Sequence, residues 1–305
     1  MYTTKVYANT LAQFNAERMD GERLRRLVEA GSVEAALKML ADLGFPTADG
    51  TIDGFVVAAT DELIAFIEEN AASRAAADAL TAVFWYNNVK LAYKSRFAAM
   101  PADAYYRTEN DAGKIASGDY SDCDRYLTEA LEALDADGER RPQAIDLALT
   151  RAMYAYVLSC GVRSVERYFR TEIDLKNILT AARLRRLGAV RDEFIAGGTL
   201  DKDMLEAAAA QNTGFCDKFF GTPYADAAEA IEERDFAELW RAERDLDDQL
   251  FFMTDSLRAK MTSYEPFLNY YTRARIELKA VKTALVCVKT GTREAFFERC
   301  PKLYG

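Results

Sequence analysis

The stretch Glu166–Leu187, ERYFRTEIDLKNILTAARLRRL, decides the fold class. Leu175, Ile178 and Ala182 recur at steps of three and four residues, which predicts one apolar stripe along a long helix. Two other segments keep this stripe when the register shifts by 89 residues towards the N-terminus or 103 towards the C-terminus. The matching stripes are Tyr86/Val89/Tyr93 and Leu278/Val281/Leu285. We call the three segments the signature helices, and their repetition predicts three similar helical units in tandem.

Glycine and polar residues set the expected limits of these units. A loop-like stretch over 108–123 and a glycine-rich stretch over 214–223 interrupt the helical patterns. They predict units 1–112, 113–212 and 213–305, each a group of helices with its signature helix last. Within the first unit, Thr60 is a candidate N-cap for the segment that follows it. Helical units stacked in series usually form curved binding surfaces.

The composition fits an all-α protein and disfavours several function classes. Half of the 305 residues are apolar, and only 6 prolines and 16 glycines are available for turns. The net charge of −10 argues against general nucleic-acid binding, which needs a basic footprint. The sequence contains no histidine, which removes the commonest general base and zinc ligand. We therefore expect no catalytic set, no metal and no cofactor.

The cysteines and the hydropathy bear on where the chain works. The 5 cysteines are scattered without a CxxC pair, which favours reduced thiols over a disulfide framework. No apolar run approaches the roughly 18 residues that a bilayer span requires. The N-terminal residues show no signal-peptide core. We expect a soluble chain that meets a membrane only through a partner.

One acidic run suggests a different chemistry. Asp245, Asp247 and Asp248 resemble the aspartate-rich magnesium motif of helical terpenoid synthases. The matching third carboxylate of that motif is absent, and no second acidic motif answers it. A solvated helix face is the simpler interpretation of these residues, but a magnesium-dependent helical enzyme stays open as an alternative.

Basic residues are the more informative charges on an acidic chain. Arg183, Arg185, Arg273 and Lys282 are candidates for contacts with acidic loops of a protein partner. The alternative for Arg183 and Arg185 is that cations late in a helix complement its dipole. Polar Asp174, Asn177 and Glu277 accompany the apolar stripes, where they either link neighbouring segments by hydrogen bonds or contact a partner.

Three runs resemble one known family. They are the proline–aromatic run Pro266–Tyr271 with the following helix Ile276–Lys282, the run Ile173–Ile178, and the opening stretch from Ala8-Asn9 to Phe45. In this order they resemble the C subunit of bacterial and archaeal V-type (A-type) ATPases, called the d subunit in the eukaryotic enzyme. The resemblance covers nearly the whole chain, and its signature-helix positions are Asn88, Lys90, Asp174, Asn177 and Glu277. Ala280 departs from the family's asparagine, Lys282 from its arginine, and Trp85 from its acid.

The resemblance implies both a shape and a role. The three units would form a funnel with pseudo-threefold symmetry and no catalytic residues. The funnel would sit on the proteolipid ring, at the cytoplasmic face of the cell membrane, and hold the end of the central shaft, formed by the D and F subunits. It would couple shaft and ring during rotary ion transport. The alternative from another class is a helical-repeat scaffold that binds peptides, arranged as an open arc.

Overall fold

The structure is a computed structural model that describes residues 2–14, 18–46, 49–100, 105–108, 111–189, 191–210, 214–233, 238–256 and 258–301. Over these ranges the chain forms fourteen α-helices and one 3-10 turn, at Cys216–Phe219, and no β-strand. The all-α prediction is therefore confirmed.

Most of the described residues lie in the helices. They are α1 Tyr2–Phe14, α2 Gly21–Val28, α3 Val33–Asp42, α4 Ile52–Asn70, α5 Arg74–Ser95, α6 Ala112–Ser117, α7 Arg125–Ala136, α8 Pro142–Val157, α9 Arg163–Leu187, α10 Lys202–Ala209, α11 Ala225–Glu233, α12 Leu239–Asp255, α13 Glu265–Thr290 and α14 Arg293–Arg299.

The signature helices are α5, α9 and α13, the three longest helices of the described ranges. Their predicted stripes face inward: those of α5 and α9 are fully buried, and on α13 only Leu278 keeps partial exposure. Helices α9 and α13 end at Gly188 and Gly291, whose φ angles of 60° and 72° lie in the left-handed region that glycine adopts without strain.

Contacts between helices run in a closed circuit. Helix α5 packs against α4 and α8, α9 packs against α8 and α12, and α13 packs against α12 and α4. The first and last segments are also joined by hydrogen bonds, because Asn9 Nδ2 donates to the carbonyl oxygens of Met261 and Ser263 at 2.7 and 2.9 Å. Each signature helix thus packs between the helix before it in the chain and one helix from further along the circuit, which is α8 for α5, α12 for α9 and α4 for α13.

Two buried clusters form the core. The larger runs from α1 through α4 and α5 to the N-terminal half of α13. The smaller combines α2, α3 and the start of α4 with the C-terminal half of α13 and α14. The C-terminal half of the last signature helix is therefore held by N-terminal helices.

Local signals were only partly right. Thr60 is not an N-cap, because α4 begins at Ile52 with Thr51 as its cap, whose Oγ1 accepts from Gly54 N at 2.9 Å. Thr60 lies inside that helix and donates to the carbonyl oxygen of Val56 at 2.7 Å. The predicted unit limit at 112/113 falls in the first turn of α6, and the limit at 212/213 lies outside the described residues.

Candidate partner-binding site

The two asparagines of the signature helices perform the same structural task. Asn177 Nδ2 donates to the carbonyl oxygen of Ile195 at 2.8 Å, and the amide of Ile195 donates back to Oδ1 at 2.9 Å. Asn88 makes the same reciprocal pair with Tyr106, at 2.8 and 2.9 Å, and also 18 residues downstream. We call this pair of bonds the asparagine clasp. It holds the segment after each helix against that helix.

Asp174 is a second buried anchor beside the clasp of α9. Its carboxylate is fully buried and accepts from the amides of Thr199 and Leu200 at 2.8 and 3.1 Å. It also accepts from the hydroxyl of Tyr224 at 3.0 Å, and burial together with this carboxylate raises the tyrosine pKa. A Cβ atom at Gly198 would lie 2.1 Å from Asp174 Oδ1, so a larger residue there would have to displace the carboxylate. Backbone amides and hydroxyl groups satisfy the carboxylate, and no cation among the described residues pairs with it.

The third signature helix departs from this pattern. Ala280 occupies the clasp position and is buried in the smaller core cluster, where α14 also packs on α13. Glu277 is 9% exposed and lines a small crevice of about 40 Å³ with Arg18, Tyr270 and Arg273. On α13, Glu277 therefore faces the N-terminal region, where Arg18 lines the same crevice.

A large cavity lies between α8, α9, α12 and the segment around residues 191–195. Its volume is about 1030 Å³, and Lys279 of α13 reaches its edge. The apolar part of its wall is made mostly of leucine side chains: Leu147, Leu175, Leu179, Leu184, Leu187, Leu246 and Leu250. Leu187 is 71% exposed, so the apolar wall continues to the rim.

Several charged side chains around the cavity are paired across helices. Arg183 of α9 pairs with Glu243 of α12, and Lys279 of α13 pairs with Asp247 of α12. Asp146 of α8 accepts from Lys94 of α5 at 2.9 Å. Because cations and acids are nearly equal in number among the lining residues, the polar border around the leucine side chains is close to neutral.

A buried polar cluster adjoins the cavity, which Glu172 also lines. Glu172 of α9 accepts from Arg275 of α13 at 3.2 Å and from the hydroxyl of Tyr154 at 3.1 Å. The hydroxyls of Tyr168 and Tyr271 lie 3.5 and 3.4 Å from the same guanidinium nitrogen. Burial alone would raise the pKa of Glu172, but Arg275 holds it below its ordinary value. The cluster ties three helices together with a charged pair.

Of the four candidate contact residues, only Arg183 lines the large cavity. Arg185 donates to the carbonyl oxygens of Ala208 and Ala210 at the end of α10. Arg273 lies in the small crevice with its guanidinium 6.0 Å from the ring centre of Phe251, and Lys282 is exposed on α13. The structure therefore does not gather these residues on one surface.

Lys90, the remaining signature position, is half-buried and donates to Thr150 Oγ1 at 2.7 Å. Burial lowers its pKa. Sequence reasoning did not find the cluster of Glu172 and Arg275, although a signal was present: these residues occupy the same register position in α9 and α13. Opposite charges at one register position of a repeat can indicate a pair.

The three carboxylates of the acidic run on α12 have separate surroundings. Asp245 accepts from Arg244 at 2.8 Å, Asp247 pairs with Lys279, and Asp248 is buried. Only Asp247 lines the cavity. Across the described residues, no three His, Cys, Asp or Glu side chains come together as a metal-binding group. None of the helices in those ranges combines the length and the hydropathy that a bilayer crossing requires.

Comparison with known proteins agrees with the resemblance found in the sequence. The family model described as ATP synthase (C/AC39) subunit, from V-type ATPases, matches residues 16–298. The match leaves out only the first 15 and the last seven residues. No curated protein gives a significant match to the chain.

Proposed function

The chain belongs to the ATP synthase (C/AC39) subunit family of V-type ATPases, and on that premise we propose that it is a non-catalytic rotor adaptor. It joins the central shaft to the membrane proteolipid ring, so that torque passes between them during ion transport and ATP synthesis or hydrolysis. The observation that carries the proposal is the leucine-walled cavity of about 1030 Å³ in a chain of this family.

The cavity suits the end of a helical shaft. Buried apolar anchors supply most of the holding energy of protein interfaces, and a polar border excludes water around them. The leucine wall provides the anchors, and the ion pairs of Arg183 with Glu243 and Lys279 with Asp247 provide the border. We assign this cavity to the D and F subunits of the shaft.

A torque-bearing part must also resist deformation. The closed circuit of helices and the buried pair of Glu172 with Arg275 join segments that are distant in sequence. The two asparagine clasps hold the segment after a signature helix against that helix. They support an arrangement of three units as a funnel with pseudo-threefold symmetry. They disfavour the open arc of an unrelated peptide-binding scaffold, because α13 packs back on α4.

The ring is the second partner. In this proposal the funnel stands on the proteolipid ring at the cytoplasmic face of the cell membrane and meets the bilayer only through it. Arg273 and Lys282 lie away from the large cavity, and they are the candidates for contacts with partners other than the shaft. The acidic average of the chain argues against nucleic acid as a partner.

The test is co-purification of the pure chain with its own organism's shaft subunits and with the detergent-solubilised ring. The informative variant is Leu187→Glu, because this side chain is exposed and its change leaves the fold intact. A matched control is Arg186→Glu, the exposed neighbour outside the cavity wall.

We expect the wild type to bind both partners, and Leu187→Glu to weaken shaft binding about tenfold or more while ring binding persists. Arg183→Glu should weaken shaft binding less, since its ion pair is largely exposed. Failure of the folded wild type to bind either partner would refute the adaptor proposal.

A further inference from the structure

The C-terminal half of α13 carries an unusual charge pattern. Residues 278–293 contain Lys279, Lys282, Lys289 and Arg293 but no Asp or Glu. The chain as a whole has a net charge of −10. This acid-free stretch therefore forms a basic region on a protein whose surface is otherwise acidic on average.

The structure exposes one side of this stretch. Lys282, Val286 and Lys289 are spaced by four and three residues, so they share one helix face, and all three are exposed. The opposite face, with Ala280, Ala284 and Cys287, is buried in the smaller core cluster. We call the exposed face the α13 stripe: two cations with an apolar side chain, 40% exposed, between them.

Comparison of the three signature helices makes the stripe distinctive. Val286 occupies the register position of Lys94 in α5 and Arg183 in α9. Those two cations bridge to acids on the next helix of the circuit, Asp146 and Glu243. At the third position the cation is replaced by an apolar residue, so this bridge cannot form.

The flanking lysines do not replace the missing bridge. Among the described residues, Lys282 and Lys289 form no ion pair, whereas Lys279 one turn earlier pairs with Asp247. Two neighbouring cations without acids repel each other, and an incoming pair of carboxylates relieves that repulsion. In α13, this register position therefore lies on an exposed surface and does not form an ion pair with the next helix.

We propose that the α13 stripe is a docking surface for an acidic protein segment. The segment presents two carboxylates, one on each side of an apolar side chain that covers Val286. Lys282 and Lys289 lie about 10 Å apart along the helix axis, at 1.5 Å per residue, which matches two turns of a partner helix or a short acidic loop.

The chemistry fits protein better than a membrane. Membrane-surface helices combine many cations with large apolar residues such as Trp, Phe and Leu. The stripe offers two lysines and one valine, which suits a local contact with paired carboxylates. This inference goes beyond the cavity, which the rotor proposal assigns to the shaft, and it stands even if the partner comes from elsewhere.

The experiment separates the stripe from the general charge of the protein. The probe is a synthetic helical peptide with two glutamates two turns apart and a leucine between them, and its control peptide has glutamines at those positions. Binding to the full chain is followed by fluorescence anisotropy at several salt concentrations. The stripe variant is Lys282→Glu with Lys289→Glu. The matched variant is Lys38→Glu with Lys260→Glu, two exposed lysines elsewhere with the same change in net charge.

We expect the acidic peptide to bind the wild type, more weakly at high salt. The stripe variant should lose about tenfold or more in affinity, and the matched variant less than threefold. The inference is overturned if both variants weaken binding equally, if the glutamine peptide binds as well, or if the wild type binds vesicles of anionic phospholipid but not the peptide.

Co-purification with the ring and the shaft subunits keeps this inference distinct from the rotor proposal. If the wild type binds these partners and the stripe variant binds the ring at least tenfold less, the acidic segment belongs to the ring. If the peptide binds but neither partner does, the rotor proposal falls and the docking surface stands. If partners bind and neither peptide nor partner binding responds to the stripe variant, the docking surface falls and the rotor proposal stands.

Discussion

Asn177→Ala tests how the signature helix holds the segment that follows it. Asn177 is 1% exposed, and its two bonds to Ile195, at 2.8 and 2.9 Å, are buried. Alanine would leave the amide and the carbonyl of Ile195 without partners. Each unsatisfied buried polar group costs about 1–3 kcal/mol, so we expect the free energy of unfolding to fall by about 2–4 kcal/mol once the segment relaxes.

The equivalent change at the other clasp provides a second loss of stability for comparison within the same protein. Asn88→Ala removes the same two bonds and a third, from Asn88 Nδ2 to Thr108 Oγ1 at 3.3 Å, but all three are only partly buried, so water can replace them. We expect a loss of about 1–2 kcal/mol. Asn87→Ala is the matched control, because this residue is the same type, lies on the same helix and makes no clasp. Its loss should be about 0.5 kcal/mol or less.

Urea unfolding at constant slope measures these losses as shifts in the midpoint. Hydrogen exchange of the Ile195 amide reports the local effect, since Asn177→Ala removes its acceptor. The clasp account fails if Asn177→Ala costs no more than Asn87→Ala, or if the Ile195 amide keeps its protection in the Asn177→Ala variant.

Three further predictions concern the buried anchors. Arg275→Met should lower the free energy of unfolding by about 3 kcal/mol. This is the lower end for a broken buried ion pair, because the arginine side chain is 30% exposed. A loss under about 1 kcal/mol in urea unfolding would contradict this prediction. The pKa of Glu172 is held below its ordinary value of 4.5, so its contribution to stability is present above pH 4.5 and is lost as the pH falls through the folded-state pKa. Below about pH 4.5, the free energy of unfolding of Glu172→Gln should therefore change less with pH than that of the wild type. Parallel pH profiles of the two proteins would argue against this. Gly198→Ala should lower the free energy of unfolding by about 1–3 kcal/mol, because the new methyl group clashes with Asp174. Thermal unfolding measures this loss, and an unchanged midpoint would show that the carboxylate can move freely.

The fold was largely predictable because helical periodicity is a local signal. The stripe of Leu175, Ile178 and Ala182 and its two copies identified the three longest helices of the described ranges, and α9 ends at Leu187, the last residue of the stretch that predicted it. The family resemblance found from three short runs is confirmed by the family match. The prediction for Thr60 was wrong because a threonine followed by acidic residues looks like an N-cap even when it lies inside a helix. Thr51, nine residues earlier, is the actual N-cap.

The site was less predictable because it depends on contacts between distant segments. The partners of Asn177 and Asp174 lie in the irregular stretch around residues 195–200, which has no periodic pattern to place it. The pairing of Arg183 with Glu243 joins helices about sixty residues apart, so the cations could not be sorted by sequence position alone. The repeat register did contain the pair of Glu172 and Arg275, but only once the two helices were known to pack together.

The most direct test of the adaptor proposal is site-specific cross-linking in the assembled ATPase. A photo-reactive amino acid replaces Leu187, which lines the cavity at its exposed rim, and in a second preparation it replaces Lys38, which is exposed on α3. The account predicts that the probe at Leu187 cross-links to the central shaft and that the probe at Lys38 does not. Cross-links from Leu187 only to the proteolipid ring, or to no other protein while the complex is intact, would contradict the assignment of the cavity to the shaft.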